Sequence, residues 1–310
     1  MARLISFISL TLILILTTIN LLAQESNSKM AIDSLSLISL EEVLLTGIRA
    51  GEDSPVTFTN ITREDLNSRN LGQDIPILLN YLPGVVTTSD AGAGIGYTGI
   101  RVRGSDATRI NVTINGIPYN DSESQGTFWV NLPDFASSVD AIQLQRGVGT
   151  STNGSGAFGA SLNLKTEAVQ EDAFASIATS LGSFRSLKNT LQFSSGTLNN
   201  TFTLSGRLSQ INSNGYIDRA SSDLDAYFFQ GTFKDENTLI KALVFGGQEI
   251  TYQSWYGIDV LTLESNRTYN PAGEIYDESG NLVSVSYTHL RAHETPEHRG
   301  FRRGGGKKNG

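Results

Sequence analysis

Between residues 168 and 250 the chain repeats a pattern that few folds can accommodate. Five runs, near 173–181, 187–194, 201–211, 225–233 and 239–250, alternate apolar and polar side chains with a period of two. In "LKNTLQFSS", Leu187, Asn189, Leu191 and Phe193 share one face, and Lys188, Thr190, Gln192 and Ser194 the other. In "TFTLSGRLSQ", Phe202, Leu204 and Leu208 oppose Thr201, Thr203, Ser205, Arg207 and Ser209. Tyr227, Phe229 and Phe233 line one side of the next run, and Ile240, Ala242, Val244 and Ile250 one side of the last. The links alternate too: "GTLNN" and "KDENT" are short, whereas "NSNGYIDRASSDL" and everything after Ile250 are long.

Strands of about ten residues, apolar outside and polar inside, with short and long links alternating, mark an outer-membrane β-barrel. A soluble β-sandwich also alternates. Tyr252, Trp255 and Tyr256 at one strand end suit a membrane interface and favour the barrel. Five strands do not close, and in lipid an open edge leaves backbone groups unpaired. The expectation is therefore the front part of something longer.

Composition agrees. The 310 residues include no cysteine, so there is no disulfide framework, thiol nucleophile or Cys-ligated zinc. Charged residues are 17%, below the soluble average of about 25%. The N-terminus reads as a signal peptide over residues 1–23: Arg3, an apolar run from Leu4 to Leu22, then Ala23. A retained membrane anchor is the alternative. The net charge of −8 is uneven. Residues 286–310 hold six basic and two acidic side chains, which leaves 17 basic and 29 acidic before them. That acidic body argues against nucleic-acid binding.

Residues 285–310 break the alternation and contain all three histidines, His289, His293 and His298. His289 and His293 would share a metal only on a helix. The segment resembles translated sequencing-adapter sequence and is expected to be non-native, so no chemistry is assigned to it.

Residues 24–46 form a polar-then-apolar leader, and 47–167 a compact mixed α/β domain. Thr62 caps a helix with Asp65 three residues on. Pro76 is expected to separate two short helices. "GIRVRGS", "RINVTINGIPYND", "DAIQLQRG" and "SLNLKTE" read as strands, the second turning at Asn115-Gly116.

Three segments carry a family resemblance. They are "YTGIRVRGSDATRINVTINGIPYND", "VDAIQLQRGVGTSTNGSGAFGASLNLKT" and "SNGYIDRASSD". With them the chain resembles the N-terminal part of a TonB-dependent outer-membrane receptor. The resemblance implies a plug over 47–167, the first barrel strands and loops over 168–284, and a whole barrel of about 22 strands. It implies import of a scarce nutrient of the ferric-siderophore type, with a glycan or cobalamin as alternative cargo. The partners implied are the TonB complex, outer-membrane lipid and that ligand, with no cofactor and no metal. The plug and leader would face the periplasm. The TonB box would span Glu42, Val43, Leu44, Leu45 and Thr46.

A plug docked in a polar lumen needs charged faces. Arg101, Arg103 and Arg146, beside Gly104 and Gly147, and also Arg109, are expected to grip barrel carboxylates. Gly116, Gly149, Gly154, Gly156 and Gly159 are expected to supply plug turns. Tyr97, Tyr119 and Trp129 are candidate ligand contacts.

Other classes fit less well. The spacing of Gly149 and Gly154 suits a phosphate-binding loop, but Ser155 and Gly156 stand where the lysine and hydroxyl belong. No Ser-His-Asp set is credible with every histidine in the tail, so an enzyme is not expected. A barrel-anchored adhesin or sensor remains the alternative from another class.

Overall fold

The structure, a computed structural model, describes residues 49–51, 54–148, 157–166, 168, 170–235, 238–252, 254–285 and 289–293. The signal peptide, the expected TonB box at 42–46, and Gly149, Gly154 and Gly156 lie outside the described residues.

The mixed domain begins with β1 (Thr57–Thr62), which runs into α1 (Arg63–Arg69). Thr62 Oγ1 accepts from the Asp65 amide at 3.3 Å, and Asp65 Oδ2 accepts from the Thr62 amide at 3.0 Å. This reciprocal capping box starts the helix where the sequence predicts. Pro76 does not separate two helices. It lies in the first turn of α2 (Ile75–Leu78), where a missing N–H costs nothing. The break is the preceding stretch, 70–74.

β2 (Val85–Ser89) and β3 (Thr98–Val102) form a hairpin around the loop 90–97. β4 (Ile110–Ile114) turns into β5 (Ile117–Pro118) through Asn115 and Gly116, with φ of 49° and 83°. Both residues are left-handed, as a tight hairpin turn requires. β6 (Val139–Arg146) and β7 (Ala160–Thr166) complete a sheet ordered β1-β6-β7-β4-β5, antiparallel except where β4 meets β7. Ile61, Leu66, Leu79, Ile142, Leu144 and Leu162 fill the core between this sheet and the helices.

The second part is an antiparallel meander: β8 (Ala173–Gly182), β9 (Ser186–Leu198), β10 (Phe202–Ser213), β11 (Ser222–Lys234) and β12 (Leu239–Tyr252). These match the five expected runs. Beyond β12 lie α3 (Val260–Ser265) and a small hairpin of β13 (Glu274–Tyr276) and β14 (Leu282–Val285).

The tail is not wholly outside the sheet. β15 (His289–His293) pairs antiparallel with β12, from Gln248↔His293 to Tyr252↔His289. The last strand of a meander offers unpaired N–H and C=O groups, which explains the pairing.

Burial on the meander is inverted relative to a soluble sheet. Leu191, Leu204, Leu208, Phe229, Phe233, Ile240 and Val244 are exposed. Lys188, Thr190, Ser205, Arg207, Ser209, Gln230 and Glu249 are buried against the mixed domain. The structure thus resembles the start of an unclosed barrel wall that turns its polar face inward. Tyr252 departs from expectation: it is buried, and its hydroxyl donates to the Ala272 carbonyl at 3.1 Å. Trp255 and Tyr256 stay exposed.

Register sorts the outward face into rows. Ile177, Leu191, Leu208 and Tyr227 are paired in one apolar row. One step on, Thr179, Asn189, Gln210, Asp225 and Gln248 form a wholly polar row. The lipid boundary is expected between them. Leu204→Arg, four residues deeper than Leu208 on the same face of β10, should cost about 2–4 kcal/mol in lipid vesicles, and Gln210→Arg about 0–1 kcal/mol. Equal losses in a urea titration would show that the boundary is misplaced.

Candidate functional site: the contact between mixed domain and wall

The tightest contact is built on Asp134, in the run "LPDF" just before β6. Asp134 has φ 52°, a left-handed conformation that few residues other than glycine adopt. It precedes a 3-10 turn at Phe135–Ser138 and is 3% exposed. That backbone geometry turns its carboxylate toward the wall.

Five side chains converge on the carboxylate. Lys188 Nζ lies 2.6 Å from Oδ1 and Arg207 Nη1 lies 3.2 Å from Oδ2. Ser137 Oγ donates to Oδ1 at 2.5 Å, while Thr190 Oγ1 and Ser209 Oγ donate to Oδ2 at 2.9 and 2.5 Å. Arg207 also donates to the Asp134 carbonyl. Lys188, Thr190, Arg207 and Ser209 all come from the inward face of β9 and β10. Burial alone pushes the Asp134 carboxyl up. Arg207, Lys188 and the hydrogen bonds outweigh it and hold the group at about 2.

The next residue adds an apolar pin. Phe135 lies edge-on to Phe228 of β11 at 5.9 Å and to Phe245 of β12 at 5.3 Å. Phe228 is thereby part of the mixed domain's own core. Around this pair, Gln192 Nε2 donates to the Ser137 carbonyl at 2.6 Å and Thr166 Oγ1 to Gln230 Oε1 at 2.8 Å.

Three of the four arginines expected to grip barrel carboxylates meet partners within the mixed domain. Arg146 is buried, its Nε donating to the Pro83 carbonyl at 3.0 Å and its Nη2 to Thr59 Oγ1 at 2.9 Å. It ties β6 to β1 inside the mixed domain. Arg103 and Gly104, with φ of 51° and 80°, form a two-residue turn closed by Val102 and Ser105. Arg103 Nη1 reaches the Arg146 carbonyl at 3.5 Å. Arg109 pairs with its neighbour Asp106 at 2.7 Å and sits over Phe158. Arg101 is exposed on β3. Among the described residues no barrel carboxylate forms a salt bridge with these four. In the contact described, the acid lies on the inner domain and the bases on the wall. The signal for it lay in Lys188 and Arg207, charged residues on the polar side of strands whose other side is apolar.

Gly147 and Gly159 join two strands' ends. The Gly147 amide donates to the Gly159 carbonyl at 2.9 Å, and the Gly159 amide to the Arg109 carbonyl at 3.0 Å. A Cβ at Gly159 would lie 2.6 Å from Ser105 Cβ and 2.7 Å from the Arg109 carbonyl oxygen. Close approach explains this glycine.

The three aromatic candidates separate. Trp129 is 2% exposed and belongs to the core. Tyr119 packs against that core, its ring 6.2 Å from Phe245. Tyr97, in the β2–β3 loop, is half-buried as well: it packs against the cluster of Ile95, Val130, Ile211 and Leu224, with its ring 5.8 Å from the Trp255 ring. The same loop is clasped by the wall: the Ala91 carbonyl accepts from the Tyr216 and Ile217 amides at 2.7 and 3.2 Å.

Comparison with known proteins fits this geometry. Residues 50–161 match the family model "TonB-dependent Receptor Plug Domain". A stretch of 146 residues, 46% of the chain, is 28% identical to the vitamin B12 transporter BtuB of Vibrio cholerae, of which it covers 23%. Solved structures show the same fold at low identity. The ferripyoverdine receptor FpvA of P. aeruginosa aligns over 77% of this chain and 30% of its own, with 15% identity and a TM-score of 0.57. The ferric yersiniabactin receptor FyuA of Yersinia pestis aligns over 72% and 36%, with 14% identity and a TM-score of 0.56. The ferric citrate transporter FecA aligns over 72% and 35%, with 20% identity and a TM-score of 0.56. The chain thus spans about a quarter to a third of the relatives it matches. Residues 50–161 thus match the plug domain of TonB-dependent receptors, and the strands that follow have the fold of the start of such a receptor's barrel.

Two outcomes are expected at the contact. Asp134→Asn strands Lys188 and Arg207 without a counter-charge and should cost about 3–5 kcal/mol. Phe135→Ala should cost a similar amount, about 3–5 kcal/mol, through the cavity it leaves. Thermal unfolding checks both. The folded pKa of Asp134 is depressed, so its stabilisation is present above the unfolded value near 3.8 and is lost as pH falls through about 2. Protease release of the plug should therefore rise over that window in the native protein, and this pH-dependent component should vanish in Asp134→Asn.

Proposed function

We propose that this chain is the plug-bearing part of an outer-membrane receptor that imports a scarce nutrient of the ferric-siderophore type with TonB-transduced energy. The observation that carries this reading is a plug held against the inward face of a barrel wall by one ionic cluster and one aromatic pin. Such a seat is tight at rest, with polar contacts at Ser137, Thr166 and Ala91 around it. No bond of the cargo is made or broken, so no catalytic residue is needed.

On this reading the plug and leader face the periplasm, and the long links and the 90–97 loop face outward. TonB engages Glu42, Val43, Leu44, Leu45 and Thr46. The match to vitamin B12 transporters supports a cobalamin-type cargo as a second reading of the same transport function.

Deleting residues 42–46 from the full-length receptor should abolish accumulation of labelled cargo while leaving binding to whole cells intact. Accumulation that persists in the deletion, or in cells lacking TonB, would sink the proposal.

A further inference from the structure

The outward face of the wall carries a groove of about 700 Å³ that the contact with the plug does not use. It runs across the strands between the two outward rows, with the apolar row as one bank and the polar row as the other. Its floor falls at Thr190, Ser209 and Ala226, whose side chains turn inward and are buried. A sheet grows at its edges, so further wall strands beside β8 or β12 leave this face open.

The polar bank is chemically mixed. Asn189, Gln210, Asp225 and Gln248 stand paired on four neighbouring strands, about 4.8 Å apart, so the bank is about 14 Å long. Two sugar rings have that reach. Thr179 Oγ1 donates to Asn189 Oδ1 at 3.0 Å, which leaves the Asn189 N–H groups to donate outward. Among the described residues the side chains of Gln210, Asp225 and Gln248 form no hydrogen bond or ion pair. Asp223 adds a second carboxylate one row nearer the long links. The bases of β8–β12 among the described residues, Lys188, Arg207, Lys234 and Lys241, all fall in the inward rows.

This inventory selects a headgroup. A phosphate only accepts hydrogen bonds, and it would meet Asp223 and Asp225 with no base to answer it. A sugar hydroxyl both donates and accepts, so a carboxylate set among carboxamides pairs with a run of them. Tyr227, on the apolar bank, brings an amphipathic ring of the kind that suits a membrane interface. We propose that this groove seats the sugar headgroup of a membrane glycolipid that carries no phosphate, its acyl chains running past Leu208 toward Leu204. The proposal rests on the barrel reading, in which this face meets lipid.

The test uses the purified full-length receptor in detergent micelles doped with equal amounts of three lipids that share the same acyl chains. They are diglucosyl diacylglycerol, phosphatidylglycerol and phosphatidylcholine. Native mass spectrometry counts the lipids that each receptor keeps. The glycolipid should be retained about fivefold or more over either phospholipid, as a few added hydrogen bonds would give. Gln210→Ala and Asp225→Ala should each lower that preference, and Gln210→Lys should shift it toward phosphatidylglycerol. Lys234→Gln, at the far end of β11, should leave it unchanged. Gln210→Lys alters only the outer surface of the wall, so the test stays open should an alanine variant fail to fold. Equal retention of the three lipids, a preference of the parent receptor for phosphatidylglycerol, or no retained lipid would overturn the proposal. So would a glycolipid preference that survives both alanine substitutions. Lipid retention needs neither cargo nor TonB, so its failure and a failed accumulation assay are separate results.

Discussion

The seat of the plug depends on a single buried carboxylate. Lys188 and Arg207 are turned inward by the same alternation that sends Leu191 and Leu208 outward. Two bases buried without a counter-charge would be intolerable. Asp134 answers both, and its left-handed backbone lets the carboxylate reach them while Phe135 enters the gap between Phe228 and Phe245. Charge and shape are thus matched by two adjacent residues.

The wall's polarity follows from its surroundings. A strand with the polar plug against one side and its apolar side chains turned away on the other must segregate them with a period of two. The plug, by contrast, keeps an ordinary apolar core and places its polar groups at its margin. Each part supplies what the other lacks: the wall gives Phe228 to the plug's core, and the plug gives Asp134 to the wall's bases.

Much of this was legible in the sequence, because period-two alternation and turn chemistry are local. The five wall strands, the Thr62 cap and the Asn115-Gly116 turn needed no knowledge of distant contacts. The lock was not local. Arg101, Arg103, Arg109 and Arg146 stand beside glycines and look like a docking surface. Yet Arg146 is consumed by Thr59 and Pro83, and Arg103 by a turn. Whether an arginine points in or out depends on strand register across the sheet, which spacing alone does not specify. Trp129 was equally ambiguous, since an aromatic residue suits a core as well as a ligand. Pro76 was misplaced for a simpler reason: proline breaks helices in their interior but fits their first turn.

The order of strands in the plug sheet has a mechanical consequence. Among the described residues β1 is an edge strand paired only with β6, from Thr57↔Arg146 at one end to Thr62↔Ala141 at the other. A pull on the segment before β1 is applied at the Arg146 end, so rungs of this ladder open one at a time toward Ala141. Asp134 lies beyond that far end, five residues before β6 begins. The load path therefore crosses the Arg146 staple first and reaches the ionic cluster last. Such an arrangement gives the domain a graded yield: small forces loosen an edge, and only sustained ones unseat the whole.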